Sequence, residues 1–574
     1  MKMLGSILAL ALSAPPAPHR LDLTPCKVPG IEREVRCGRF EVWEDRAKRA
    51  GRKISLRIVV LPATGSEKQP DPVFVFEGGP GQSAVESAAG EAAGGAEVNR
   101  RRDIVLVDVR GTGDSNGLQC KALQGHAGAL GVLESFLPVD GVRACRQALE
   151  PRADLRLYTT SIAVDDVDDV REALGYDRIN VEGGSYGTRA ALVYMRRHPE
   201  HVRTAVLGGI VPTDTRMPLY FARDAQTALD RLIAACGKDS ACHAAFPDPA
   251  GEIAAMLTKL DRRLAETTLK DPETGKPLKI TLGRSAAAQT IRFMLYSPIT
   301  AAQIPLQVHL AAQGDFSRLA ESAFLFGNLV ASVSDGFYLS VTCAEDVAFF
   351  TAAEAEKEAR GTFLGDFRAR AQKAACAQWP RGEVPAGFSG PVRSEAPTLL
   401  ISGERDPVTP AAWGEQAART LSHALLIVVP GGGHGFDGEK GAECLDRLGQ
   451  ELIERGTEKG LDTSCAAKIE PAPFALKDDR AAEIELAPAE LDRFAGSYAG
   501  ADGREIVIRR QEAILQIVLG DEGTFRLAPV APARFRIEGA PPGFFAEFQR
   551  DGGAVTALQL ELGPNDRETL KRRP

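Results

Sequence analysis

The chain has 574 residues, a formal net charge of −8 and an ordinary globular composition, 44% hydrophobic and 25% charged. That length exceeds one compact core and predicts several domains. With no basic block, the charge disfavours nucleic acid or an anionic membrane surface as a partner.

Met1 and Lys2 precede an apolar run from Met3 to Leu12 and a small-residue segment, Ala11-Leu12-Ser13. This predicts a signal peptide over residues 1–13 and export to the periplasm or the extracellular space. The run is too short to span a bilayer, and no other apolar stretch approaches it, so no membrane span is expected. The 10 cysteines fall in neighbouring pairs: Cys26 and Cys37, Cys120 and Cys145, Cys236 and Cys242, Cys343 and Cys376, Cys444 and Cys465. None forms Cys-x-x-Cys, and none has histidines at zinc-finger spacing. Five local disulfides in an oxidising compartment are expected, and no metal site.

Apolar runs rich in β-branched residues lie at 56–61, 73–76, 104–107, 179–181, 205–207, 398–401 and 425–429. They read as strands of a sheet covered on both faces. Helical patterns separate several of them. In Ser161 to Leu174 the apolar stripe is Val164, Val167, Val170 and Leu174, and Asp165, Asp166, Asp168 and Asp169 read as a solvated face. The alternation predicts an α/β fold with a mostly parallel, doubly wound sheet. Its first part is expected over 20–214 and its second over 396–466. Between them, 215–395 reads as an inserted helical cap without core strands. After Pro471-Ala472-Pro473, short alternating segments separated by turns predict a small antiparallel β domain over 484–574.

Ile179 to Thr188 reads strand, tight turn, helix, with Gly183-Gly184-Ser185-Tyr186-Gly187 at the turn. Gly-x-Ser-x-Gly in that context is a nucleophile elbow, which makes Ser185 a candidate nucleophile. Its hydroxyl needs a base. His434 follows the strand 425–429, at the end where open α/β sheets bind ligands, whereas His423 precedes the same strand. Asp406, in the loop after the strand 398–401, completes the order Ser, acid, His, with Glu404 as its rival. The backbone amide of Tyr186 and one from the loop Glu77-Gly78-Gly79-Pro80-Gly81, at Gly79 or else Gly78, are the expected oxyanion donors.

Taken with Asp108-Val109-Arg110-Gly111-Thr112-Gly113-Asp114-Ser115 and Gly403-Glu404-Arg405-Asp406-Pro407-Val408-Thr409-Pro410, these motifs resemble the prolyl-aminopeptidase and tripeptidyl-aminopeptidase family of α/β-hydrolases. The resemblance covers roughly Cys26 to Cys465. It implies an α/β-hydrolase fold with a helical cap and hydrolysis of short peptides from the free N-terminus, often beside proline or a small apolar residue. Many members carry His or Asn where this chain has Glu77. The C-terminal β domain resembles small lipocalin-like appendages of some secreted hydrolases. Members of the family hold the substrate ammonium with acidic cap residues, which makes Glu345 and Asp346 candidates, along with Glu77. A carboxylic-ester hydrolase with the same triad is the alternative, and an inactive binding protein using the cap cleft is a third reading. No cofactor is implied, and oligomeric state is not legible.

Overall fold

The computed structural model describes residues 21–31, 33–123, 136–270, 276–478, 483–500, 505–518, 524–538, 543–562 and 567–573. The expected signal peptide lies outside them. Eleven strands precede the C-terminal domain: β1 (Thr24–Cys26), β2 (Val35–Trp43), β3 (Lys53–Leu61), β4 (Val73–Phe76), β5 (Ile104–Val107), β6 (Ile179–Gly184), β7 (Val202–Gly208), β8 (Ala265–Lys270), β9 (Pro277–Leu282), β10 (Thr398–Gly403) and β11 (Ala424–Val429). Nine of them form one sheet in the order β1-β2-β3-β5-β4-β6-β7-β10-β11. From β5 to β11 every pairing is parallel, and β1 to β3 form an antiparallel edge. The doubly wound, mostly parallel sheet is thus as expected. The strands β4, β5 and β10 read as unbroken apolar runs because helices cover both faces. Strand order reverses around β4, so the loops after β4 and β6 open at a crevice over the C-terminal strand ends.

The helix Thr160–Leu174 departs from its reading as a solvated acidic face. Asp166 is wholly buried against Arg110, with Nε at 2.6 Å and Nη2 at 3.0 Å. Asp165 pairs with Arg197, and Asp168 with Arg171 and Tyr194. Arg110 and Arg197 come from other segments, so a single-helix pattern carries no trace of them, and only the Asp168–Arg171 pair lies within the helix.

The insertion divides in two. Helices Phe221–Lys238, Pro249–Arg262, Arg284–Met294, Ile304–Ala312 and Ser317–Ala331 build a lobe with its own core around Leu229, Leu257, Ile291 and Leu319. The lobe carries the β8–β9 hairpin, which the sequence reading missed. Its alternating, half-exposed residues do not produce a core-strand signature. Helices Asp335–Glu345 and Phe367–Cys376 behave differently: Phe337, Leu339, Val341, Cys343 and Ala375 share one core with the main sheet. All five expected disulfide pairs are formed. No described helix is long and apolar enough to cross a membrane.

The C-terminal domain is a closed antiparallel barrel of eight strands: β12 (Gly496–Ala499), β13 (Glu505–Gln511), β14 (Ile514–Val518), β15 (Thr524–Ala531), β16 (Arg534–Ile537), β17 (Phe544–Asp551), β18 (Ala554–Leu562) and β19 (Arg567–Arg572). The sequence shows the middle six. The short β12 and the charged β19 close the ring and remove its edges. Phe494, Phe535 and Phe548 fill its interior at 4.6–5.4 Å centroid separations.

Candidate active site

Ser185 lies between β6 and the helix Tyr186–Arg197, at the helix N-cap. Its backbone sits at φ 55°, ψ −125°, a region that L-residues with a Cβ occupy only under strain. The surroundings enforce it. Ser185 N donates to Gly208 O at 2.9 Å, and Thr188 N and Oγ1 donate to Ser185 O at 3.0 and 2.6 Å. The helix start passes so close to β4 that a Cβ on Gly187 would stand 1.8 Å from Phe76 O. Glycine there is a steric requirement of the turn.

The loop after β4 closes over the serine. A Cβ on Gly78 would lie 3.4 Å from the Ser185 Cβ. The peptide joining Gly78 to Gly79 therefore runs beside the nucleophile candidate, and Gly79 turns away with φ +107°.

Asp406 and His434 come from the loops after β10 and β11. His434 Nδ1 lies 2.8 Å from Asp406 Oδ2. The Asp406 side chain is fully buried. Burial favours its neutral form, but the charge and hydrogen bond of His434 and the donors of Thr409 outweigh it and hold the carboxyl below its ordinary value. Val408 N and Thr409 N each donate to Oδ1 at 2.8 Å, and Thr409 Oγ1 donates to Oδ2 at 2.6 Å. Thr409 Oγ1 is also 3.0 Å from His434 Nδ1. The sequence reading missed this threonine, whose signal was its place three residues after the acid. Gly208, which accepts the Ser185 amide, leads directly to Gly209, where a Cβ would lie 2.9 Å from His434 Cε1. These two glycines run between the Ser185 backbone and the His434 ring. The rivals are occupied elsewhere: Glu404 Oε2 accepts from Gly431 N at 2.9 Å, and His423 Nδ1 lies 3.1 Å from Glu458.

The three carboxylates proposed for a substrate ammonium separate. Asp346 is wholly buried, with both oxygens on Arg189 Nη1 at 2.8 and 2.9 Å and Oδ1 also accepting from Met217 N at 3.0 Å. Glu345 is 3% exposed. Its oxygens accept from Thr160 N and Thr160 Oγ1, each at 2.7 Å, and Thr160 Oγ1 is 2.7 Å from the Tyr186 hydroxyl. Burial pushes the Glu345 carboxyl up to about 7. The expectation that Glu345 and Asp346 face a substrate is corrected: both are committed beneath the elbow, where their acceptors are already filled. Glu77 differs. It is half-buried, accepts from Ser87 Oγ, and borders a cavity shared with Gly78, Tyr186 and Phe337.

Two families match the chain. One, described as "alpha/beta hydrolase fold", matches residues 71–243, which contain Ser185. The other, described as "TAP-like protein", matches residues 362–465, which contain Asp406 and His434. Serine protease Hip1 of Mycobacterium tuberculosis is 24% identical over 511 residues, covering 79% of this chain and 92% of that protein. Tripeptidyl aminopeptidase of Streptomyces coelicolor is 26% identical over 487 residues, covering 77% and 85%. Carboxylesterase B of Mycobacterium tuberculosis is 29% identical over 474 residues, covering 76% and 87%. With an α/β-hydrolase sheet, a strained turn at Ser185 and a segment similar to TAP-like proteins that contains Asp406 and His434, this chain is a serine hydrolase of the α/β-hydrolase fold.

Proposed function

We propose that the protein is an exported serine exopeptidase that releases short peptides from a free N-terminus, cutting beside proline or another small apolar residue. The observation that carries this reading is the 2.8 Å His434–Asp406 pair, joined through Gly208 and Gly209 to a strained Ser185. Similarity to a tripeptidyl aminopeptidase and a serine protease supports the choice of a peptide substrate.

In this mechanism the Ser185 hydroxyl attacks the scissile carbonyl while His434 takes its proton. Asp406 holds the imidazole by its Nδ1 proton and stabilises the imidazolium. The amides of Tyr186 and Gly79 receive the oxyanion. Collapse expels the amine, which takes the proton from His434 and leaves an acyl-enzyme. Water, deprotonated by the same histidine, then releases the acyl peptide. Glu77 is assigned to meet the substrate ammonium in this reading, which the closeness of its neighbour Gly78 to Ser185 supports. The five disulfides support an oxidising destination.

The test compares chromogenic proline-amide, alanine-amide and tripeptide-amide substrates with short acyl esters, alongside fluorophosphonate labelling at Ser185. Amide turnover that Ser185→Ala abolishes supports the peptidase. Turnover confined to esters would establish the second reading, a carboxylic-ester hydrolase, which the 29% identity to a carboxylesterase favours. Absence of labelling would leave a binding protein.

A further inference from the structure

The lobe helix Arg284–Met294 and the helix Phe367–Cys376 carry a second polar centre that the triad does not use. Arg292 lies on the helix Arg284–Met294 and is 2% exposed. Its guanidinium stands over the rings of Phe221, Phe293 and Tyr296, at 4.5, 5.6 and 5.3 Å from their centroids. One nitrogen donates to the Tyr296 hydroxyl at 3.0 Å, and Nε is sealed from solvent without a partner. Arg368, on the helix Phe367–Cys376, repeats the arrangement. Its guanidinium lies 3.4 Å from the Phe136 centroid, one nitrogen donates to the Tyr338 hydroxyl at 3.1 Å, and its Nε is also buried and unpaired. Burial, and then the charge of Arg292 acting on it, lower the proton affinity of Arg368.

Neither arginine forms an ion pair with a described carboxylate. Two wholly buried arginines elsewhere in this protein do so, Arg110 with Asp166 and Arg189 with Asp346, whereas Arg368 is half-buried as a residue with only its Nε sealed. Two neighbouring cations on aromatic faces, each with an unpaired N–H, make an arrangement that an anion completes. The planar guanidinium fork matches a carboxylate. The centre also touches the catalytic apparatus. The Tyr296 ring packs edge-on to His434 at 5.0 Å, and Tyr296 O accepts from Gly435 N at 2.8 Å. The histidine of a serine hydrolase delivers its proton to the leaving group, so this neighbourhood belongs to the departing fragment.

We propose that Arg292 and Arg368 form a carboxylate-binding subsite on the leaving-group side of the catalytic centre, selecting short substrates whose departing fragment carries a free carboxylate. The proposal rests on the peptidase reading above and adds a preference to it. The carboxylate has two sources, the peptide C-terminus or an acidic side chain.

The experiment measures kcat/KM on three tetrapeptides: all-alanine with a free acid, all-alanine with a C-terminal amide, and Ala-Ala-Ala-Asp amide. The wild-type protein is expected to prefer the free acid over the alanine amide by about tenfold, the lower end of what a hydrogen bond to a charged group contributes. In Arg292→Gln and in Arg368→Gln the ratio is expected to approach one. The ratio is read rather than the rate, so a general loss of activity cancels, and fluorophosphonate labelling at Ser185 confirms that each variant is folded. If the Asp amide equals the free acid, the side chain serves as well as the terminus and the subsite stands. Equal kcat/KM for all three in the wild type would overturn it, as would a preference that persists in both variants. If no tetrapeptide is cleaved, the peptidase reading fails separately. The subsite is then judged by inhibition of acyl-ester hydrolysis: alanylalanine inhibiting more strongly than its amide supports it, and equal inhibition overturns it.

Discussion

Replacing Glu345 with Gln separates a buried structural acid from a substrate ligand. Glu345 is 3% exposed, and burial raises its carboxyl from 4.5 to about 7 against the opposing donors of Thr160 and the charge of Arg189. The folded chain therefore holds this proton more tightly than the unfolded chain. The resulting stability is complete below pH 4.5 and is lost as pH rises through about 7. A rise of that size corresponds to about 3 kcal/mol. Gln stays neutral at every pH and keeps an oxygen for Thr160 N, while the Thr160 hydroxyl can turn to accept its amide. Glu345→Gln is therefore expected to match the wild type near about pH 4.5 and to exceed it by about 3 kcal/mol near about pH 8. Urea unfolding of the oxidised protein, followed by tryptophan fluorescence, measures this. Trp43, Trp379 and Trp413 all lie in the hydrolase unit, so the barrel does not contribute to the signal. A stability difference that stays constant from low to high pH would refute the reasoning. A raised KM for free-amine peptides beside unchanged KM for N-acylated esters would restore Glu345 as an ammonium ligand.

Three other outcomes follow from the geometry. Asp406→Asn keeps the shape but frees the imidazole to adopt the wrong tautomer, so kcat on a chromogenic amide should fall by about 10³–10⁴; a loss below about tenfold would remove Asp406 from its role. Gly187→Ala places a methyl 1.8 Å from Phe76 O and should abolish fluorophosphonate labelling. Gly184→Ala, where a Cβ meets nothing within 4 Å, should retain it, and equal behaviour of the two would contradict the elbow account. Asp346→Asn leaves the Arg189 charge buried without its partner and should cost about 3–5 kcal/mol in urea unfolding, whereas Arg189→Met with Asp346→Leu should lose less. A double variant weaker than Asp346→Asn would show that the pair stabilises beyond mutual compensation.

The sequence made legible whatever depends on local pattern. Apolar runs marked β3 to β7, β10 and β11, and glycines flanking Ser185 marked the elbow, because tight turns and close backbone contacts leave few residue choices. Chain order separated His434 from His423 and Asp406 from Glu404. Long-range charge pairing stayed hidden. Arg189 and Asp346 are separated by 157 positions, and Arg110 and Asp166 by 56, so no spacing rule links them. For the same reason the acidic run at 165–169 looked solvated and Glu345 looked free. Thr409 was missed because its role needs the loop to curl back on Asp406, which backbone donors at Val408 and Thr409 arrange.

The misplaced carboxylates also change what the inserted segment is for. Ser334 N donates to Gly81 O at 2.9 Å, and Ser334 Oγ donates to Gly111 O at 2.6 Å, so the segment grips the loop that faces Ser185. Eleven positions later, Glu345 and Asp346 hold Thr160 and Arg189, beneath the helix that starts at Tyr186. The Cys343–Cys376 disulfide ties this helix to the helix Phe367–Cys376. A single buried helix thus connects the proposed oxyanion loop to the nucleophile turn, and it shares the core of the main sheet. The lobe from Phe221 to Ala331, by contrast, has a separate core. Residues 334–346 belong to the catalytic framework: a displacement of this helix would move Gly81 and Thr160 together, and the geometry of Ser185 with them.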